Sequence, residues 1–406
     1  MENALKRVDA AFEFFDKLGV DYYTFHDVDV SPQGATLSES NANFDKIADR
    51  LEKHQKASGV KLAWGTANLF SHWRYASGAS TNPDAHVFAW AGAQVKKAME
   101  VTYRLKGEKC VLLLFSPFPP LFFSLSFVIA RGAPRRARAR RHRPPPRRAA
   151  LPCPLLRPRS YVFWGGREGY QSLLNTSPRR ELDHMARFLQ MAVDHKKSLG
   201  ATFQLLIEPK PREPSAHQYD YDAQTVMGFL KHYGLDKDFK VNIEPNHTTL
   251  AGHSFEHDII MSSKYGYLGS IDANTGTPEL GWDTDQFLMD PKKAAFVMYA
   301  VIEQGGLAPG VLNFDAKVRR ESTDVEDMFI AHAAGMDTFA RGLRAAAAIK
   351  ADGTLDKWVK ERYASFDTGL GAKVEAGKSS FADCEKFVLD KGEAKRTSGQ
   401  QEKYEQ

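Results

Sequence analysis

The stretch Phe203-Gln204-Leu205-Leu206-Ile207-Glu208-Pro209-Lys210-Pro211 decides the fold. A short apolar run of strand-forming residues ends abruptly in an acid, and the prolines that follow stop the strand from continuing. The same pattern recurs along the chain. Val20-Asp21-Tyr22-Tyr23-Thr24-Phe25 ends in His26-Asp27, Val60-Lys61-Leu62-Ala63-Trp64 in Gly65-Thr66, and Tyr161-Val162-Phe163-Trp164 in Gly165-Gly166-Arg167. Further on, Lys240-Val241-Asn242-Ile243 ends in Glu244-Pro245, Leu268-Gly269-Ser270-Ile271 in Asp272, and Val311-Leu312-Asn313-Phe314 in Asp315. Helical patterns fill intervals such as 180–199, 222–234 and 292–304. Residues 3–18 open the chain as an amphipathic helix, with Leu5, Val8, Phe12, Phe15 and Leu18 at helical spacing and Gly19 as its stop.

Short apolar strands alternating with helices imply an α/β fold whose parallel sheet is covered on both faces. Polar residues at the ends of all seven strands give the layout of a TIM (β/α)8 barrel, with its site at the strands' C-terminal ends. A single acid after a strand is usually a helix cap or turn residue; seven polar endings in succession are poorly explained that way. Seven is one short of a closed barrel and the chain opens on a helix. The expectation is therefore a barrel over 1–336 lacking its first strand, followed by a polar helical arm over 337–406 for subunit contacts. An unclosed barrel exposes a strand edge.

Residues 109–160 break the pattern. Cys110 to Ala130 is apolar but interrupted by Pro117, Pro119 and Pro120, and Arg131 to Ser160 is low-complexity Arg, Pro and Ala. A membrane span with a basic flank is long enough on paper. It would enter just before a central strand and tear the barrel apart. A disordered insertion of this length inside a compact domain is uncommon, which leaves translated non-coding sequence as the preferred reading. The segment carries eleven arginines, one lysine and no acid, so the rest of the chain is net −7 although the whole is +5. The basic balance is thus no sign of a nucleic-acid or membrane partner for the main body. Three cysteines, Cys110, Cys153 and Cys384, form neither a disulfide framework nor a zinc spacing. Met1-Glu2-Asn3-Ala4-Leu5-Lys6 has no signal-peptide layout, and the expected location is the cytoplasm.

The strand-end acids are Glu208, Glu244, Asp272 and Asp315, joined by Asp283 and Asp285, with His247 three residues after Glu244. Six carboxylates at one barrel mouth repel strongly unless cations neutralise them. A carboxylate-rich set with one imidazole suits Mg²⁺, Mn²⁺ or Co²⁺, and the charge count favours two ions with one carboxylate bridging. Lys210 adds a cation at the rim, on a loop stiffened by Pro209 and Pro211. His26 and Asp29 offer a base and its orienter, since an acid three residues on can hold the imidazole's other N–H. Trp64 and Trp164 end their strands on the same rim; they serve either as core or as flat apolar walls that exclude water from reacting carbons.

Phe25-His26-Asp27-Val28-Asp29, Trp64-Gly65-Thr66-Ala67-Asn68, Trp164-Gly165-Gly166-Arg167-Glu168-Gly169, Glu208-Pro209-Lys210-Pro211, Gly281-Trp282-Asp283-Thr284-Asp285-Gln286-Phe287 and Asn313-Phe314-Asp315-Ala316-Lys317 resemble, in order, the signatures of the xylose isomerase family. The resemblance spans residues 1 to about 108 and 161 to the C-terminus. It implies interconversion of D-xylose and D-xylulose, and of D-glucose and D-fructose, by ring opening and a metal-assisted 1,2-hydride shift. Glu208, Glu244, Asp272 and Asp315 would hold one metal, and Glu244, His247, Asp283 and Asp285 the second. His26 and Asp29 would assist ring opening, and Lys210 would bond the carbonyl oxygen. Trp64, Thr66, Trp164 and His247 would contact the sugar, in a homotetramer with no nucleic-acid or membrane partner.

Pro245, Leu288 and Trp73 depart from the family pattern without touching a ligand. Two other readings compete: an inactive, truncated or mis-spliced product of such a gene, and another metal-dependent barrel such as a DNA-repair endonuclease. The latter would use several histidines and a basic groove, whereas here one histidine follows the acids and the arginines sit in one segment.

Overall fold

The computed structural model describes residues 1–105, 160–212 and 215–405. The expected insertion at 109–160 lies outside the described residues, save Ser160, which opens a strand. Each of the seven apolar runs forms a strand: β1 Tyr22–His26, β2 Lys61–Thr66, β3 Ser160–Trp164, β4 Gln204–Glu208, β5 Phe239–Ile243, β6 Leu268–Asp272 and β7 Leu312–Asn313. They pair in sequence order, every neighbour parallel, as a nearly closed barrel.

Helix α1, Glu2–Leu18, precedes β1. One main helix then follows each strand in turn: α2 Leu37–Ser58, α3 Ala85–Arg104, α4 Pro178–Ser198, α5 Ala223–His232, α6 His257–Lys264, α7 Pro291–Gln304 and α8 Val325–Asp352. Their starts are chemically marked. The side chains of Thr36, Asp84, Asp222 and Asp290 each accept a hydrogen bond from a backbone N–H of the first turn, which satisfies donors that the helix itself leaves unpaired.

Alternation along the strands builds two apolar layers. Tyr161, Phe163, Leu205 and Ile207 belong to the large core between strands and helices. Their sequence neighbours Val162 and Leu206 join Ala63, Trp64 and Val311 in a separate cluster inside the barrel, with Tyr22 packed on it. Side chains thus fill the barrel, leaving chemistry to its rim. Gly269 makes room for the inner layer: a Cβ there would lie 2.5 Å from Leu206 Cδ2 and 3.0 Å from Lys240 Cβ.

The ladder ends at β1 on one side and β7 on the other, and among the described residues no strand pairs with either outer edge. A cavity of about 300 Å³ separates them, lined by Leu18, Tyr22 and Thr24 on one side and Leu312, Asn313 and Met336 on the other. The seven-strand expectation therefore holds, and its gap falls between the first and last strands.

Two compact units divide the chain, Met1–Ala346 and Ala347–Gln406. Within the second, helices cover Thr354–Tyr363, Gly369–Glu375 and Phe381–Lys391, the last opened by a reciprocal Ser380–Asp383 capping box. Phe381 and Leu389 are exposed there. No helix among the described residues is long and apolar enough to cross a membrane.

Gly269→Ala is expected to lower the barrel's stability by about 1–3 kcal/mol through overpacking. The check is the urea midpoint of purified protein; an unchanged midpoint would mean that Leu206 moves aside without cost.

Candidate metal centre

Strand ends deliver the acids. β4 stops at Glu208 because Pro209 cannot extend the ladder, and Lys210 follows. Directly after β5 comes Glu244, the N-cap of a short helix, Pro245–Leu250, whose proline suits a first helical position. That helix turns Asn246 and His247 back over the strand end. β6 contributes Asp272 and the residues after β7 contribute Asp315. Asp283 and Asp285 come from the loop before Gln286–Phe287, which pairs antiparallel with Asn274–Thr275. Asp285 (φ 41°) and Asp315 (φ 38°) both hold left-handed backbone conformations. Such strain in non-glycine residues costs of order 1–3 kcal/mol and concentrates at functional sites. Two bonds hold it in place, Lys317 N–H to the Asp285 carbonyl at 2.8 Å and Asn274 Nδ2 to the Asp315 carbonyl at 2.7 Å.

Three sets of donor atoms converge, each within 4.8 Å: Glu208, Glu244, Asp272 and Asp315; Glu208, Glu244 and His247; and Glu244, Asp283 and Asp285. Glu244 belongs to all three. It is 1 % exposed, and neither of its carboxylate oxygens has a hydrogen-bond partner. The nearest basic atom, His247 Nε2, stands 3.2 Å from Oε1. A buried carboxylate without a partner costs several kcal/mol, so this orphaned anion among other acids fits a bound cation. Oxygen-rich donor sets of this kind suit hard divalent ions.

The neighbours are ordered by amides. Asn242 Nδ2 donates to Glu208 Oε2 at 2.9 Å and to Asp272 Oδ2 at 2.7 Å, and Asn313 Nδ2 donates to Asp272 Oδ1 at 2.9 Å. A register shift between Val241 and Asn242 re-aims this part of β5. His247 Nδ1 donates to the Pro209 carbonyl at 2.9 Å, which leaves Nε2 facing Glu244 and Asp283. Asn246 Nδ2 donates to Asp283 Oδ1. Lys210 Nζ lies 2.7 Å from Asp283 Oδ2 and 4.5 Å from the centre of the Trp164 ring, and Lys317 Nζ lies 2.7 Å from Asp285 Oδ2.

Electrostatics divide the acids. Burial first, and then the charges of Asp272 and Asp315, push the Glu208 carboxyl well up; burial, then Asp283 and Asp315, do the same to Glu244. Asp272 is raised to about 7 by burial and Asp315, and Asp285 to about 7 by burial and Asp283. Asp283 goes the other way: burial raises it, but hydrogen bonding and charge from His247, with the charge of Lys210, hold it well below the usual range. Burial and then Lys210 pull the His247 imidazole down, favouring its neutral, ligating form.

His26 Nδ1 and Asp29 Oδ2 are 2.9 Å apart, next to the same rim. Burial lowers the imidazole's pKa, but the Asp29 carboxylate together with the charges of Asp315 and Asp27 outweighs it, and the net shift is upward. Trp164 meets Phe70 with ring centroids 4.0 Å apart, and Phe70 stands 6.1 Å from His26. Trp64 is 3 % exposed within the inner apolar cluster, 6.2 Å from His26. The Thr66 hydroxyl donates to the Val162 carbonyl at 2.6 Å. Sequence reasoning missed Phe70, Asn242, Asn246, Asn313 and Lys317. Asn242 and Asn313 left a signal, each as an amide inside an apolar strand run where asparagine is depleted.

His253, His257 and Asp258, at and just before the start of α6, form a further donor group. The two imidazoles stack nearly parallel, 4.1 Å apart at 13°, so their in-plane lone pairs do not converge on one ion.

A parallel α/β barrel with a carboxylate cluster and a His–Asp pair at one end of its strands has the layout of a barrel enzyme built around a candidate metal site. Over 403 residues the chain is 50 % identical to a xylose isomerase from Rhodopirellula baltica, covering 99 % of this chain and 80 % of that relative. It is 48 % identical over 399 residues to a xylose isomerase from Hordeum vulgare, covering 98 % and 73 %. A family profile described as the XylA2 C-terminal domain matches residues 359–406. The chain belongs to the xylose isomerase family, an enzyme family of isomerases. At the level of fold alone it is similar to the solved structure of an L-ribulose 3-epimerase, with a TM-score of 0.55 at 13 % identity, covering 86 % of this chain and 93 % of that one.

Asn242→Ala is expected to weaken Mn²⁺ binding by roughly 10–100-fold, the usual effect of removing a group that orients metal ligands. Since the raised carboxyls hold protons below about pH 7, Mn²⁺ uptake should release protons and its affinity should fall from pH 8 to pH 6. Calorimetry in buffers of different ionisation enthalpy reads both; affinity flat across that range would contradict the assigned protonation.

Proposed function

We propose that this chain interconverts D-xylose and D-xylulose, and accepts D-glucose and D-fructose, using two divalent ions drawn from Mg²⁺, Mn²⁺ and Co²⁺. One observation carries the reading: Glu244 is buried, without a hydrogen-bond partner, and shared by all three donor sets at the rim. Glu208, Glu244, Asp272 and Asp315 would hold one ion, and Glu244, His247, Asp283 and Asp285 the other. When bound, the ions would supply Lewis-acid stabilisation of the oxygen charge that develops as hydride passes between C2 and C1 of the open sugar.

The protein's own groups do the rest. His26, with Nδ1 engaged by Asp29, keeps Nε2 to exchange a proton with the ring oxygen during opening. Lys210 donates from Nζ to the carbonyl oxygen, its amine held over Trp164. The Phe70–Trp164 corner presents an apolar face to the sugar's C–H surface and keeps bulk water from the migrating hydride. Trp64 would support that wall from the inner cluster, and Thr66, whose hydroxyl is bonded to the Val162 carbonyl, would line the pocket. The arm at 337–406 would contact neighbouring subunits of a homotetramer, and a cytoplasmic location accords with this reading.

Lys210→Met is expected to reduce xylose–xylulose interconversion by about a hundredfold or more, as loss of a donor at a developing oxyanion does, with Mn²⁺ uptake retained. Xylulose formation by the purified chain in Mn²⁺ is the measurement. Normal turnover by the variant would overturn the role of Lys210, and no turnover by the unaltered, metal-loaded protein would overturn the activity.

A further inference from the structure

Glu168 takes no part in the chemistry above, yet it is 5 % exposed and among the most heavily bonded acids of the barrel. It lies on the loop after β3. Its carboxylate accepts from three successive backbone N–H groups of the loop after β2: Ala79 at 3.3 Å to either oxygen, Ser80 at 2.7 Å and Thr81 at 3.1 Å. The Ser80 hydroxyl donates to it at 2.8 Å, and the Thr81 hydroxyl donates as well. Consecutive N–H groups curled around one anion form a nest. Gly78, at φ 89°, permits the curl: a Cβ there would lie 2.8 Å from Glu168 Oε2 and 2.4 Å from Thr81 Oγ1.

The clamp joins the loop after β2 to the loop after β3. Among the described residues the two strands pair at Trp64–Ser160 and Gly65–Tyr161, with the Thr66 hydroxyl bonded to the Val162 carbonyl beyond them. The β2 loop carries Phe70 and the end of β3 carries Trp164, whose rings meet at 4.0 Å. Gly166, two residues before Glu168, is pressed into that corner; a Cβ there would lie 2.8 Å from Trp164 Cη2 and 3.0 Å from Phe70 Cβ. The Glu168 backbone is itself tied down, N–H to the Gly165 carbonyl at 2.8 Å and its carbonyl to Tyr219 N–H at 3.0 Å. Glu168 therefore ties the end of β3, which carries Trp164, to the same loop after β2 that carries Phe70 nine residues before Ala79.

We propose that Glu168 is a positioning residue for the sugar wall: its carboxylate, seated in the Ala79–Ser80–Thr81 nest, locks Phe70 against Trp164 and so fixes the ring over which Lys210 is held. This rests on the sugar-isomerase reading for what the wall contacts. Removing the charge turns the nest against its occupant, because the amide N–H₂ of a glutamine would face N–H donors. Charge-assisted bonds of this kind are about twice as strong as neutral ones.

The test uses Glu168→Gln and, separately, the pair Ser80→Ala with Thr81→Val, which removes only the two hydroxyl donors and leaves acid and backbone in place. Acrylamide quenching of Trp164, taken as the difference from each protein's Trp164→Phe counterpart, should increase in Glu168→Gln and increase less in the hydroxyl pair. KM for xylose should rise roughly tenfold to a hundredfold in Glu168→Gln, with a smaller fall in kcat. The hydroxyl pair should follow in the same sense, so a poorly folding Glu168→Gln still leaves a readable variant. A lowered melting temperature with unchanged KM, kcat and Trp164 quenching in the folded fraction would make Glu168 merely structural and overturn the proposal. Should the unaltered chain prove unable to isomerise xylose, the function fails; the quenching comparison still decides whether Glu168 holds the wall.

Discussion

Like charges packed at one end of a barrel are the constraint on which the rest of this structure depends. Glu244 stands fully buried, with Glu208 and Asp283 close by and no donor on either oxygen. Lys210 pairs with Asp283, His247 Nε2 stands between Asp283 at 3.0 Å and Glu244 at 3.2 Å, and Lys317 pairs with Asp285. Burial, and after it the repulsion of neighbouring acids, pushes the Glu208 and Glu244 carboxyls well up. Protons and divalent cations are alternative occupants of the same negative field.

The fold serves that field. Parallel strands bring their C-terminal ends together, so acids separated by tens of residues in the chain become neighbours. The inner cluster of Ala63, Trp64, Val162, Leu206 and Val311 closes the barrel below them and excludes water from that side. Amides from Asn242, Asn246 and Asn313 then orient the acids without adding charge. Strained backbone at Asp285 and Asp315 is tolerated because neighbouring groups bond their carbonyls. The open edge between β1 and β7 reaches His26 and Asp315, so the least enclosed part of the barrel adjoins part of the site.

Much of this was legible in the sequence because strands announce themselves locally. All seven apolar runs became strands, and each acid expected at the rim lies there. The His26–Asp29 pair was readable from a three-residue spacing. Supporting contacts were not. Phe70 lies on a loop where no periodicity points to its neighbour, and the Glu168 nest joins residues 87 to 89 positions apart in the chain. Hydroxyl and amide partners leave no pattern until the fold brings them together. Trp64 shows the converse limit: its place after a strand suggested a wall or a core, and only packing shows it within the inner cluster. The boundary expected after 336 and the division into compact units after Ala346 both lie on one continuous helix, α8, where no local break in the sequence marks either.

Calorimetric titration of the full chain with Mn²⁺, beside Glu244→Gln, tests the account most directly. Two equivalents bound by the unaltered chain, with loss of affinity at both sites in the variant, are the expected result. No uptake by the unaltered chain, or uptake indifferent to Glu244→Gln, would contradict the claim that this buried carboxylate is the shared anchor of the site.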